Sequence, residues 1–269
     1  MDMGLRGKSA LVSGGSKGIG RAISIALAAE GAHVTVASRG REAIDETVDL
    51  IRAAGGKATG VAADMTEEAG VAAAVAEAAR AFAPPLIAIS NVDAPDARRG
   101  AGFRCGLEDA TNEDIFEAFD GMVMSVVRLT RAVLPAMKER QWGRLVNIGS
   151  KSMKQPHAPP TQKVLSNIGR LGVVGLMKTL SYEYGRYNIT ANIIATGQIA
   201  TDLAGDAYKA RGVTFAEQEE KMRELGVGAC RFGKPEEMAA VAVFLCSERA
   251  SFISGVTLGV HGGMQKVLL

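Results

Sequence analysis

The segment Ser13-Gly14-Gly15-Ser16-Lys17-Gly18-Ile19-Gly20 decides the fold of this 269-residue chain. It joins a short apolar run to a stretch with helical spacing, which predicts a turn between a first strand and a first helix. Glycines there allow a tight turn and let the backbone approach a diphosphate, and the helix N-terminus adds N–H groups and a positive dipole end. The spacing, Gly14-x3-Gly18-x-Gly20, differs from GxGxxG, and a purely structural strand–helix turn is the alternative interpretation.

Short apolar runs alternate with helical stretches along the rest of the chain. Predicted strands cover Ser9–Gly14, His33–Ser38, Ala58–Asp64, Leu86–Asn91, Gly143–Ser150, Thr190–Thr196 and Ile253–Val260. Predicted helices cover Arg21–Glu30, Glu42–Ala54, Glu67–Phe82, Asn112–Arg140 (ending after Met137), Gln162–Tyr184 and Pro235–Cys246. Strands separated by helices of about 10–20 residues indicate βαβ units, and apolar runs suit strands covered on both faces. We predict an α/β fold, a Rossmann-type doubly wound, seven-stranded parallel sheet with helices on both faces, in one domain spanning residues 1–269.

Composition excludes several functional classes. The formal net charge of +2 is too balanced for a nucleic-acid-binding surface. No stretch approaches the roughly 18 apolar residues of a membrane span, and the N-terminus lacks the apolar core of a signal peptide. Cys105, Cys230 and Cys246 form no CxxC pair and no metal-binding spacing. We expect a cytoplasmic protein with buried or half-buried thiols, no metal, and no nucleic-acid or membrane partner.

The end of the second predicted strand favours one class of dinucleotide. A carboxylate there would bind the ribose 2′-hydroxyl and select NAD, but the strand ends Ala37-Ser38-Arg39. The Arg39 guanidinium can donate two hydrogen bonds to a 2′-phosphate, and Lys17 can add positive charge, although both could be solvated surface cations. We therefore expect NADP(H) rather than NAD(H). Asp64, beside Met65, could bind the adenine amino group or cap the next helix.

Further segments resemble the short-chain dehydrogenase/reductase family over nearly the whole chain. The glycine segment is similar to the family's TGxxxGIG, and Ser90-Asn91-Val92-Asp93 occupies the NNAG position. Residues 196–201 resemble PGxIxT, and residues 252–263 resemble the final strand. The resemblance implies a cofactor site built from Gly14, Ser16, Lys17, Gly18, Ile19, Gly20, Ser38, Arg39, Asp64, Met65, Asn91, Arg170, Gly197, Ile199 and Thr201. Leu165-Ser166-Asn167-x-x-Arg170 and residues 175–180 favour a β-ketoacyl-reductase-like subgroup.

The catalytic positions depart from the family pattern. The family transfers hydride with Asn, Ser, Tyr and Lys, in which Tyr moves the proton while Lys lowers its pKa and holds the ribose. The resemblance places Ser150 at the Ser position, Ser166 at the Tyr position and Arg170 at the Lys position, with Met122 at the Asn position. We predict that the two serines hydrogen-bond a substrate oxygen as a weak oxyanion site and that Arg170 anchors ribose hydroxyls.

The proton donor stays open. A serine hydroxyl is a far weaker acid than a phenol of pKa about 10, and arginine keeps its charge. The candidate donors are Lys163, Lys154, Lys151 and His157, and Lys163 is included in the predicted catalytic set because it precedes Ser166 by one helical turn. A second register puts Lys163 at the Tyr position and Asn167 at the Lys position. The first register is favoured because residues 175–180 fit it without a gap.

Tyr182 begins a YxxxR pattern that could be taken for the catalytic Tyr and Lys positions. It follows Ser166 by sixteen residues, or ~24 Å along a helix, and is therefore too far away to reach the nicotinamide.

The resemblance implies a substrate lid at about 200–228, where Phe215 and Met222 suggest a partly apolar wall. Three functions remain open: an NADP(H)-dependent carbonyl reductase or alcohol dehydrogenase, a non-redox lyase, isomerase or cyclase, and a silent NADP(H)-binding protein. We favour the first, with a small-molecule substrate and a homodimer or homotetramer.

Overall fold

The computed structural model describes residues 2–92, 106–156, 163–226 and 228–268. Seven strands form one parallel sheet in the order β3-β2-β1-β4-β5-β6-β7. They are β1 Ser9–Ser13, β2 His33–Ser38, β3 Lys57–Ala62, β4 Ile87–Ser90, β5 Gly143–Ser150, β6 Ile189–Thr196 and β7 Thr257–Val260. The predicted doubly wound fold is confirmed, and its strand order reverses between β1 and β4.

Helices cover both faces of the sheet. They are α1 Gly18–Ala29, α2 Arg41–Ala53, α3 Glu68–Ala81, α4 Asn112–Phe119, α5 Ser125–Glu139, α6 Val164–Tyr184, α7 Asp202–Lys209, α8 Phe215–Glu224 and α9 Pro235–Cys246. One layer consists of α1, α2 and α9, and the other of α3, α5 and α6. Successive side chains of a strand enter opposite layers: Ala10 and Val12 pack under α1, whereas Leu11 packs in the second layer.

The helix predicted over 112–140 is interrupted. Asp120–Met124 forms a π-helical turn between α4 and α5, and Ser125 Oγ donates to the carbonyl of Gly121 at 2.7 Å. Such turns are frequent at functional sites. Met122 is buried here and packs on α6, where a Cβ added to Gly169 would lie 2.8 Å from the Met122 sulfur. The turn therefore fixes the path of the chain beside the first half of α6.

The last strand is shorter than the sequence predicts. The predicted strand starts at Ile253, but β7 begins at Thr257. Gly255 has a φ of +73°, and its N–H donates to Ala191 while the Asn192 side chain donates to the Ile253 carbonyl. A left-handed residue and side-chain hydrogen bonds replace the regular ladder before Thr257.

The proposed lid segment contains two helices that the sequence analysis did not assign. Thr201 caps α7, and Thr214 forms a capping box with Glu217 at the start of α8. The Thr214-x-x-Glu217 spacing was the available signal for α8. Met222 of α8 packs with Phe232 and Met264, so the segment has a small apolar core of its own. Within the described ranges, no helix is both long and apolar enough to cross a membrane.

The cysteines give a first testable prediction. Cys246 is fully buried in α9, and burial raises the pKa of its thiol to about 12, whereas Cys230 is half-buried. We expect iodoacetamide at pH 8 to label Cys230 in the folded protein and to spare Cys246, because thiolate is the reactive form. Mass spectrometry of tryptic peptides measures this, with urea-unfolded protein as the control. Equal labelling of both thiols before unfolding would contradict this packing. Cys105 lies outside the described residues.

Candidate active site

A cavity of about 450 Å³ lies at the carboxyl edge of the sheet, where the strand order reverses between β1 and β4. Open parallel sheets bind ligands at this place because strand ends and helix N-termini meet there. Twelve residues of the predicted site line the cavity: Gly14, Lys17, Gly18, Ile19, Ser38, Arg39, Asp64, Met65, Asn91, Ser150, Arg170 and Thr201. The structure therefore brings most of the predicted residues together around one space.

The glycine turn forms one end of the cavity. Gly14 and Gly18 have φ values of +66° and +50°, a region that side chains with a Cβ rarely adopt. A Cβ on Gly14 would lie 2.1 Å from the carbonyl oxygen of Asn91, whose side-chain amide donates to the Gly14 carbonyl at 3.2 Å. α1 begins at Gly18, so its unbonded N–H groups and positive dipole end lie beside the cavity.

Two predicted residues of this turn lie behind the cavity wall. Ser16 is buried, and its carbonyl accepts from Arg21 Nε at 2.9 Å and from Thr47 Oγ1 at 3.1 Å. A Cβ on Gly20 would lie 2.0 Å from the Gly14 carbonyl oxygen, so this glycine permits the close approach of α1 to the turn. Neither residue lines the cavity, and both hold the turn in place.

Cations and a carboxylate lie where the cavity meets the ends of β2 and β3. Arg39 and Lys17 are exposed and line the cavity, and Ser38 and Arg39 are the only lining residues contributed by the end of β2 within the described chain. Asp64 also lines it, but its Oδ1 accepts from the N–H of Thr66 at 3.0 Å and from Thr66 Oγ1 at 2.6 Å. Glu67 occupies the N-cap position of α3 without a side-chain capping hydrogen bond, so Asp64 orders the turn before the helix rather than capping it.

Ser150 and Arg170 line the opposite part of the cavity. Ser150 ends β5, and its Oγ accepts from the Ser152 N–H at 3.4 Å. Arg170 lies one turn after Ser166 in α6 and donates from Nε to Ser166 Oγ at 3.0 Å. Ser166 is buried and does not line the cavity, so the structure presents it as the support of Arg170. An always-charged guanidinium thus faces the cavity at a fixed position.

The second register has less geometric support. Lys163 and Asn167 do not line the cavity, whereas Arg170 does. Lys163 is the residue before α6, with φ −147°, so it lies outside the helix that was expected to hold it on one face with Ser166. Among described side chains, the Asn167 Oδ1 atom is buried without a hydrogen-bond partner.

The other proton-donor candidates differ in their surroundings. Lys151 directly follows Ser150, is half-buried, and burial lowers the pKa of its ammonium group. Lys154 is exposed. His157 lies outside the described residues, as do Asp93 and the predicted helix start at Gln162. The chain's tyrosines, Tyr182, Tyr184, Tyr187 and Tyr208, all lie in described segments, and none lines the cavity. Tyr208 packs instead on Phe215 and Phe232.

The segment after β6 is divided between two locations. Thr201 lines the cavity, and a Cβ on Gly18 would lie 3.1 Å from its methyl carbon. Gly197 packs against the backbone of His261, and Ile199 is buried beside a separate cavity of about 70 Å³. Neither Gly197 nor Ile199 lines the larger cavity.

Eight lining residues are absent from the predicted cofactor and catalytic sets, namely Ala63, Thr66, Val92, Ile148, Gly149, Thr196, Asp202 and Leu203. Most follow or end a strand, and that position was the signal that could have identified them. Asp202 and Leu203 begin α7, so the proposed lid contributes to the wall. In the part of the chain that the structure describes, no cluster of three His, Cys, Asp or Glu residues could hold a metal.

Comparison with known proteins assigns the family. A family model described as enoyl-(acyl carrier protein) reductase matches residues 14–265. The 3-oxoacyl-(acyl-carrier-protein) reductase FabG of Pseudomonas aeruginosa is 31% identical over 97% of this chain and 99% of that protein. Glucose 1-dehydrogenase 2 of Bacillus subtilis is 33% identical over 97% of this chain and 95% of that protein.

A solved structure gives the same result. L-sorbose reductase of Gluconobacter frateurii, complexed with NADPH and L-sorbose, superposes with a TM-score of 0.88 and 31% identity over 100% of both chains. The relatives are oxidoreductases, as the sequence analysis expected for this chain, and the resemblance inferred from its motifs is confirmed. The chain belongs to the short-chain dehydrogenase/reductase family.

Proposed function

We propose that this protein is an NADP(H)-dependent oxidoreductase that reduces a small carbonyl compound or oxidises the corresponding alcohol. One observation carries the proposal: a single cavity joins the glycine turn, the cations Lys17 and Arg39, and the pair Ser150 and Arg170. The NADPH bound in L-sorbose reductase and the reductase and dehydrogenase names of the relatives support the same activity.

The residues around the cavity fit a dinucleotide phosphate. The positive φ at Gly14 and Gly18 lets the backbone approach a diphosphate without a Cβ in the way. Lys17 and Arg39 are suited to a 2′-phosphate, because both are cationic and the end of β2 contributes no carboxylate to the cavity wall within the described chain. Met65 and Asp64 would flank the adenine, and Asn91 and Thr201 would flank the rest of the cofactor. When bound, NADPH supplies the hydride.

The chain's own polar groups would bind and orient the carbonyl. The Ser150 hydroxyl accepts from the Ser152 N–H and can donate its hydrogen to the substrate oxygen, which stabilises developing negative charge. Arg170 would hold ribose hydroxyls, and Ser166 would fix the guanidinium through the 3.0 Å hydrogen bond to Nε. Ser16 and Gly20 would act from behind the cavity wall, and Ile199 and Gly197 from a position away from the cavity.

The proton would come from Lys151 or from solvent. Lys151 directly follows Ser150, and burial lowers the pKa of its ammonium group, which favours proton release. Neither Lys151 nor Lys163 lines the cavity. The lid role of residues 200–228 is part of the same proposal, because Asp202 and Leu203 contribute to the cavity wall.

Calorimetric titration with NADPH and NADH tests the cofactor, and a panel of aldehydes, diketones and 3-oxoesters tests the reaction. We expect NADPH to bind more tightly than NADH and to be consumed with at least one carbonyl compound. Binding without any turnover would remove the redox proposal, and binding of neither nucleotide would remove the cofactor assignment as well.

Arg39→Ala is expected to weaken NADPH binding about tenfold and to leave NADH binding unchanged, because only NADPH carries the 2′-phosphate. Arg41→Ala is the matched control, since Arg41 is also exposed but pairs with Asp45 at 2.9 Å and does not line the cavity. Calorimetry of both variants with both nucleotides measures the difference. An equal loss of NADPH and NADH affinity in Arg39→Ala would contradict a role in reading the phosphate.

A second candidate function follows from the tyrosines. Because none of the four lines the cavity, the group that moves the proton in the family is missing there. A redox-neutral lyase, isomerase or cyclase that uses Ser150 and Arg170, or a silent NADP(H)-binding protein, would have no need of it. Mass spectrometry of products formed without net NADPH oxidation would favour the enzyme, and tight binding with no product would favour the silent protein.

We also propose a cytoplasmic homodimer or homotetramer. Exposed apolar side chains on α4 and α6, including Phe116, Phe119 and Leu171, support association through these helices. Phe252, near β7, is fully exposed and supports a second contact. Light scattering tests the assembly, and a mass of one chain would contradict it. Cell fractionation tests the location.

A further inference from the structure

The chain beyond β7 reaches back to the loop that follows Ser150. Gln265 Nε2 donates to the carbonyl oxygen of Lys151 at 2.7 Å, across 114 positions of sequence. Lys266 N–H donates to Gln155 Oε1 at 3.1 Å. A side chain of the tail thus binds the backbone of the loop, and a side chain of the loop binds the backbone of the tail. We name these two hydrogen bonds the tail clamp.

The accepting carbonyl lies at the residue next to Ser150. Lys151 begins a 3₁₀ turn, Lys151–Met153, in which the Ser152 N–H is capped by Ser150 Oγ. The Lys151 carbonyl also accepts from the N–H groups of Lys154 and Gln155, both at 3.1 Å. Gln265 is the donor that links this turn to a distant part of the chain, and it restrains the Lys151–Ser152 peptide, whose N–H donates to Ser150 Oγ at 3.4 Å.

The same tail is anchored in the lid. Met264 is 8% exposed and packs with Met222 of α8 and with Phe232, in the small core that also contains Tyr208 of α7. Three consecutive residues, Met264, Gln265 and Lys266, therefore contact the lid on one side and the Ser150 loop on the other. α7, which contributes Tyr208 to this core, also contributes Asp202 and Leu203 to the cavity wall.

We propose that Gln265 is a positioning residue for Ser150, and that the tail clamp holds the Ser150 loop at a fixed position relative to the lid. This inference rests on the proposed function for its kinetic readout. A carbonyl oxygen must lie within hydrogen-bonding distance of Ser150 Oγ, and catalytic groups lose efficiency steeply when displaced by an ångström. A loop held only by its own turn would leave Oγ less well placed.

Gln265→Glu tests the clamp with almost no change of shape. It replaces the donating amide with an acceptor that opposes the Lys151 carbonyl. Gln141→Glu is the matched control, because Gln141 Nε2 also donates to a backbone carbonyl, that of Lys138 at 2.8 Å, but lies before β5 at the other end of the sheet. We expect Gln265→Glu to lower kcat about fivefold to tenfold, the effect of one lost hydrogen bond, and Gln141→Glu to keep the parental value.

Two further readouts separate positioning from general stability. NADPH affinity and the melting temperature should change no more in Gln265→Glu than in Gln141→Glu. Limited trypsin digestion should cut after Lys151 and Lys154 several-fold faster in Gln265→Glu, as measured by mass spectrometry. This digestion needs no turnover. It therefore tests whether the tail clamp holds the Ser150 loop even if the protein reduces no carbonyl compound and the proposed function fails.

The outcomes are distinct. A lower kcat with unchanged NADPH affinity and faster cleavage of the loop supports the proposal, as does faster cleavage alone in a protein without turnover. Equal kcat and equal cleavage in the two variants would overturn it. A parallel loss of melting temperature and NADPH affinity in Gln265→Glu would also overturn it, because the tail would then stabilise the whole fold.

Discussion

Gly14→Ala is expected to weaken NADPH binding by about a hundredfold or more. Two costs add at this position, because the backbone has a φ of +66° and the new Cβ would lie 2.1 Å from the Asn91 carbonyl oxygen. The clash is with backbone, so relief requires the turn to move away from β4. The N–H groups of α1 would then no longer face the diphosphate position. Calorimetric titration measures the loss.

Gly55→Ala is the matched control for that substitution. Gly55 also has a positive φ, +83°, but a Cβ there meets nothing within 4 Å. It should cost about 1 kcal/mol of stability through backbone strain and leave NADPH affinity unchanged. If Gly14→Ala does not fold, Gly18→Ala replaces it, because its Cβ meets only the side chain of Thr201 at 3.1 Å. Parental NADPH affinity in a folded Gly14→Ala protein would contradict the assignment of the turn.

Ser150→Ala is expected to lower kcat for carbonyl reduction about a hundredfold, the usual effect of removing a donor to a developing oxyanion. NADPH affinity should stay close to the parental value, because Ser150 is assigned to the substrate oxygen and not to the cofactor. Initial rates with saturating NADPH, together with calorimetry, separate the two effects.

Ser152→Ala controls for a serine lost from the same loop. Ser152 is buried, and within the described chain its hydroxyl has no hydrogen-bond partner. Its removal should leave kcat and stability almost unchanged, since no interaction is lost. A similar kcat in Ser150→Ala and the parent would refute the hydrogen-bonding role of Ser150.

Periodicity and turn chemistry were enough to predict the fold. β2 and β5 have the predicted limits. Each is a short apolar run followed by a charged residue, Arg39 or Lys151, and such a run between two helices predicts a buried parallel strand. The positions of the glycine turn with Lys17, and of Arg39 after β2, at one cavity were also predicted, because each depends on local backbone freedom or on the residue that follows a strand. The start of β7 was wrong by four residues, because the hydrogen bonds of Asn192 end the ladder early.

The tertiary structure decided which predicted residues share a space. Ser16 and Gly20 fit a motif but support the glycine turn from behind the wall, and Gly197 and Ile199 fit a motif but lie away from the cavity. Asp202 and Leu203, in contrast, reach the cavity without a motif of their own. Lys163 precedes α6 instead of lying on its face with Ser166. The contact of Gln265 with the Lys151 carbonyl joins positions 114 apart. Local sequence determined the elements because each depends on its neighbours in the chain, but the site depends on distances between elements, which only packing fixes.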